Sequence, residues 1–170
     1  MKSIGNWFWV VASTLAGITI FITSLYFYSL YESMICEKKS IEQFEKIVNE
    51  INDLCWKHIG NSKEYFVKLC ENVDGIYAST KKSIEYSKND LIKYITSDEY
   101  SHGNYLCLQI RDRRVRCEEL LCFVNFTFIG SKPMELSLSA LINKVLGRAQ
   151  TFDYRLILNR SENAVYVRKE

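Results

Sequence analysis

The sequence predicts an α+β protein in which a long N-terminal helix, transmembrane and then amphipathic, packs on a small, mostly antiparallel β-sheet head. Three observations predict it. No charged residue occurs between Ser3 and Tyr31. Residues 37–59 then place apolar side chains at intervals of three and four, and the rest of the chain breaks into short β-branched and aromatic runs separated by turn residues. A length of 170 residues allows one ordinary domain plus an appendage. An apolar content of 48% against 25% charged residues excludes intrinsic disorder.

The first element is the span. Residues 7–31 read WFWVVASTLAGITIFITSLYFYSLY, about 37 Å as a helix against a hydrocarbon core of about 30 Å. The apolar core of a secretory signal is shorter and stops at a small-residue cleavage site, whereas this run continues well past Ala16. Trp7 and Trp9 at one end and Tyr26, Tyr28 and Tyr31 at the other form the aromatic belts expected at headgroup level. Ala12, Ser13, Ala16 and Gly17 put small residues on one face, a candidate helix–helix packing surface in lipid, and Thr19 and Thr23 extend it.

The second element continues the first. Ile41, Phe44, Ile47, Val48, Ile51, Leu54 and Cys55 form an apolar stripe among Glu, Lys, Asn and Asp. No Gly or Pro lies between Gly17 and Gly60, so one helix is expected from residue 7 to residue 58, on the order of 75 Å long. Gly60-Asn61-Ser62 supplies the stop. The chain thus divides into a transmembrane helix over 1–31, an amphipathic helix over 32–60 and a β-rich domain over 61–170.

Within that domain strands are expected at 64–70, 73–79, 105–110, 122–129, 152–158 and 164–168, the last two joined as a hairpin through the turn-like residues 159–163. Residues 136–146 (LSLSALINKVL), ended by Gly147, read as a helix, and residues 88–95 fit helix or strand. Pro133 is the sole proline, so no proline-rich linker marks a second domain.

All six cysteines, Cys36, Cys55, Cys70, Cys107, Cys117 and Cys122, follow the span. An even number in a small domain fits an oxidising compartment, and spacing alone does not choose their pairing. Cys107 and Cys117 flank Arg111-Asp112-Arg113-Arg114, and a hairpin there would bring them together. No second matched Cys pair completes a zinc pattern. Lys2 precedes the span, while Lys38, Lys39 and Lys46 follow it mixed with glutamates, so the positive-inside count does not set the orientation. The cysteines do, together with glycosylation-type triplets at Asn125 and Asn159. They favour a single pass through the cell membrane, with a short cytoplasmic N-terminus and an extracytoplasmic C-terminal domain.

The inventory for catalysis is poor. His58 and His102 are the only histidines, the adjacent carboxylates Asp98-Glu99 and Glu118-Glu119 diverge on either helix or strand, and no phosphate-cradling glycine loop occurs. A non-enzymatic protein without cofactor or metal is expected. Arg111, Arg113, Arg114 and Arg116 form the one charge cluster, a candidate site for an anionic ligand. The net charge of +2 argues against a nucleic-acid partner and leaves membrane lipid as the expected one.

An uncharged N-terminal helix running into an amphipathic half and a small β-rich head, with the stretches YFVKLCENVDGIYAS (65–79) and GNYLCLQI (103–110), resembles the type IV pilin plan, especially archaeal pilin-like membrane proteins. It departs from processed pilins at Gly5, which follows Ile4 rather than a basic residue and has Val10 where a Glu is usual. The resemblance implies a surface-exposed subunit, assembled as a homo- or hetero-oligomer through its N-terminal helix. The alternative is a monomeric, membrane-anchored binding module using the arginine loop.

Overall fold

The computed structural model describes residues 3–82, 85–97, 99–111, 114–131 and 150–170. Helix α1 runs unbroken over Ser3–Cys55, 53 residues and about 80 Å. Within its apolar part the hydroxyls of Thr14, Thr19, Thr23 and Ser24 donate to carbonyls four residues back, which satisfies their polarity without water. The helix ends at Cys55, slightly short of the expected His58, because residues 56–60 already turn. Gly60 closes that turn at φ 88°, and its N–H donates to the Arg160 carbonyl.

Six strands follow: β1 (Ser62–Cys70), β2 (Val73–Ser79), β3 (Tyr100–Ile110), β4 (Arg114–Thr127), β5 (Thr151–Arg160) and β6 (Val165–Lys169). They form one sheet in the order β1-β5-β6-β4-β3-β2, antiparallel except for the β4–β6 pair. The fold class is α+β, a long helix on a mostly antiparallel sheet. β1 and β5 run two or three residues longer than expected, and β3 and β4 differ more. β3 begins at Tyr100, and β4 begins at Arg114 rather than near Cys122, because Ile110 pairs with Arg114 and Cys107 with Cys117. Much of the arginine run is therefore strand, not loop. Residues 88–95 belong to α2 (Lys88–Ser97). The Ser87 hydroxyl accepts from the Asp90 N–H and donates to the Asp90 carboxylate, a capping arrangement that starts this helix. The helix expected over 136–146 lies outside the described residues.

The core sits between the second half of α1 and one face of the sheet. Phe44, Ile47, Val48, Ile51 and Leu54 are buried against Val67 and Leu69 of β1, Leu106 and Leu108 of β3, and Leu156 and Leu158 of β5. Each such side chain contributes roughly 2 kcal/mol by burial. On the opposite face α2 covers the β2–β3 ribbon through Leu91 and Ile95, which pack with Tyr77, Cys107 and Phe128. Ile76 and Ile129 exchange backbone hydrogen bonds, so the chain leaving β4 covers the edge of β2. Where the β3–β4 register shifts, a Cβ on Gly103 would lie 1.9 Å from the Ser79 carbonyl oxygen, so only glycine fits that crossing.

Candidate functional site

The character of α1 changes along its length. Trp7, Phe21 and Phe27 are 74%, 65% and 69% exposed, and burial begins only at Cys36. Apolar surface on this scale fits a single-pass membrane anchor. Of the small residues, Ala12 is half-buried, and Ser13, Ala16 and Gly17 are exposed. A Cβ added at Gly17 meets nothing within 4 Å, so that face of the helix is open.

The head starts where the span stops. Ser33, two residues after the last belt tyrosine, accepts a hydrogen bond from the Asn72 amide at 2.6 Å. The Ser40 hydroxyl, fully buried, accepts the Cys70 N–H, and the Asn52 side chain accepts the Leu121 N–H. Glu50 pairs with Lys63. Three disulfides join Cys36 to Cys70, Cys55 to Cys122, and Cys107 to Cys117. The first two hold the sheet to the helix at points about 28 Å apart along its axis. The third links directly opposed residues of β3 and β4. The amphipathic half of α1 is therefore an integral part of the head, and the span projects from it without a hinge residue.

Of the four arginines, the side chains of Arg111 and Arg116 are described, and they pair with different carboxylates. The Arg116 guanidinium lies 2.8 Å from Glu45 on α1 and 3.0 Å from Glu118, and the hydrogen bond it donates to Glu118, followed by the charge of Glu45, pushes its pKa up. It braces β4 against the helix. Arg111 is exposed, pairs loosely with Glu71 at 3.8 Å, and its N–H donates to the Asn72 carbonyl. Because Asn72 also reaches Ser33, Arg111 lies at the end of the head next to the span. Arg114 opens β4, and Arg113 lies outside the described residues.

His58 is exposed in the turn after α1, and His102 on β3 lies beside the Phe123 ring at 6.1 Å. No cluster of three or more His, Cys, Asp or Glu residues suited to a metal ion occurs among the described residues. Glu118 is engaged by Arg116, while Glu99 lines a separate cleft with Tyr86, Tyr94, Tyr100, His102 and Phe128. This aromatic cleft has no counterpart in the sequence reading. Its one local signal is the 3.6-residue spacing of Leu91, Tyr94 and Ile95. No protein-family model matches the chain, and no curated protein or solved structure matches it.

Proposed function

We propose that the protein is a membrane-anchored, non-catalytic structural or interaction subunit of pilin-like design. In this reading it displays the β-rich head on the outer side of the cell membrane and associates with other chains through residues 7–31. One observation carries the reading: a single helix is exposed and apolar in its first half, then buried and twice disulfide-linked to the sheet in its second. A rigid head on a lipid-soluble stem suits display and assembly. The disulfides support an oxidising side for the head, since such bonds persist outside the cytosol. The engagement of Arg116 by Glu45 and Glu118 weighs against the arginine-loop binding module.

Two measurements test the separate parts. Glu162→Cys, in the exposed β5–β6 turn, should be labelled on intact cells by an impermeant maleimide; absence of label refutes the orientation. In mild detergent the wild-type chain should run as an oligomer that Gly17→Leu dissociates, because the added side chain has room within its own chain and obstructs only a neighbour. A monodisperse wild-type monomer refutes the assembly.

A further inference from the structure

We propose that Asn159, near the end of β5, is an N-glycosylation site whose oligosaccharide covers the outer face of the β5–β6 hairpin. This rests on the outward display of the head proposed above. Two triplets have the acceptor form, Asn125-Phe126-Thr127 on β4 and Asn159-Arg160-Ser161 at the β5–β6 turn. The register of the sheet brings them together. Tyr166 of β6 pairs with Asn125 on one side and with Asn159 on the other, so the three residues stand in one row across the strands.

The face they share is the outer one. Leu156 and Leu158 of β5 and Val165 and Val167 of β6 are buried in the core, and side chains alternate along a strand, so Asn159 and Tyr166 point away from it. Asn159 is exposed, and Tyr166 is 45% exposed. Folding leaves the two triplets in different states. Asn125 is half-buried between His102 and Tyr166, and Thr127 is buried with its hydroxyl donating to the Val167 carbonyl at 3.1 Å. The acceptor pattern requires a hydroxyl at the third position, and the sheet has claimed that one. Asn159 instead stands at a strand end, and Ser161 follows in the turn, where its N–H donates to the Ala164 carbonyl at 2.9 Å. A bulky, hydrated group attached there extends into solvent without disturbing the core.

The step is a substitution at the anomeric carbon of an oligosaccharide carried on a polyprenyl phosphate or diphosphate. The Asn159 side-chain nitrogen forms the new C–N bond, the C–O bond to the phosphate breaks, and the polyprenyl phosphate leaves with that electron pair. The amide gives up one proton to a base of the transferase. Cross-strand neighbours have Cβ atoms about 5 Å apart, so the first sugar sits beside Tyr166. An oligosaccharide in that position keeps the outer face of β5 and β6 from packing flat against a neighbouring chain.

The test uses the full-length chain made in cells that carry out N-glycosylation, with and without peptide-N-glycosidase treatment. The untreated chain should be heavier by a single oligosaccharide, and after treatment residue 159 should be found as Asp by peptide mass spectrometry. Asn159→Gln and Ser161→Ala should each abolish the mass step, whereas Asn125→Gln and Ser161→Thr should keep it. Asn159 is exposed, so an unchanged thermal transition checks that Asn159→Gln keeps the fold. A step that survives Asn159→Gln and is lost with Asn125→Gln overturns the assignment. The maleimide label on Glu162→Cys, read in the same cells, separates this proposal from the orientation it rests on. A labelled chain without the mass step overturns the glycan alone, and a chain with neither overturns the glycan and the orientation together.

Discussion

Removing the Cys55–Cys122 bond by Cys55→Ser with Cys122→Ser should cost the head about 4 kcal/mol. The bond closes a loop of 67 residues, and constraint of the unfolded chain grows with the logarithm of that length. The Cys36–Cys70 bond offers no shorter path between the two positions, because its ends lie on either side of Cys55. The Cys107–Cys117 bond shortens the path slightly, which alters the figure by only about 0.1 kcal/mol. The cost falls on the junction of α1 with β4, where Leu54 is buried and the Asn52 side chain accepts the Leu121 N–H. Urea unfolding in non-ionic detergent, followed by far-ultraviolet circular dichroism, should show the midpoint lowered and the slope somewhat steeper, because the unfolded chain without the bond exposes more surface. A loss below about 1 kcal/mol would show that packing of the apolar stripe alone fixes the head to its helix, and would refute the view that the linkage dominates.

Gln109→Leu strips both hydrogen bonds from the Tyr86 backbone and should cost roughly 2–4 kcal/mol in thermal or urea unfolding, since the stranded N–H and carbonyl keep their desolvation penalties. A change within about 0.5 kcal/mol would mean that Tyr86 is held by its ring alone. Tyr77, Tyr86, Tyr65 and Tyr154 all have pKa values raised above 10.0, chiefly by burial. Below that value both folded and unfolded chains keep these protons and the tyrosines add no pH dependence. Above it the unfolded chain ionises first, so stability should fall as pH rises above 10.0. Tyr77→Phe should flatten that fall, and a stability that stays level through this window contradicts the assignment.

The sequence made α1 legible because its two signals are local. An uncharged run of 25 residues over 7–31 and the three-and-four spacing from Ile41 to Leu54 need no knowledge of the partner surface. Cys107 and Cys117 were readable for the same reason, since a hairpin joins them. Cys36–Cys70 and Cys55–Cys122 were not, because their pairing depends on the register of the sheet along the helix. Arg116 reads as part of a charged loop until Glu45, distant in sequence, appears beside it. The aromatic cleft is the least legible feature of all. Its rings come from α2, β3, the segment before α2 and the chain leaving β4, and a glutamine gives no sign in sequence that it will clamp Tyr86.

The way α1 is shared between lipid and protein also constrains how copies would associate. In the amphipathic half, Lys38, Lys39, Glu42, Glu45, Lys46, Asn49 and Asp53 are exposed, while the apolar stripe is already buried by the chain's own sheet. Along that half the large apolar side chains left exposed are Met34 at its start and Trp56 and Ile59 just past its end. If subunits associate through the span, as proposed, lipid surrounds both partners and burial of apolar surface gives no net drive. Hydrogen bonding between helices offers little, because Thr14, Thr19, Thr23 and Ser24 already donate to their own backbone. Close backbone approach remains, and within the span it is the face bearing Ser13, Ala16 and Gly17 that permits it. A bulky residue at Gly17 should therefore weaken association far more than a charge reversal at Lys46, which would matter most if the exposed face of the amphipathic half made the contact.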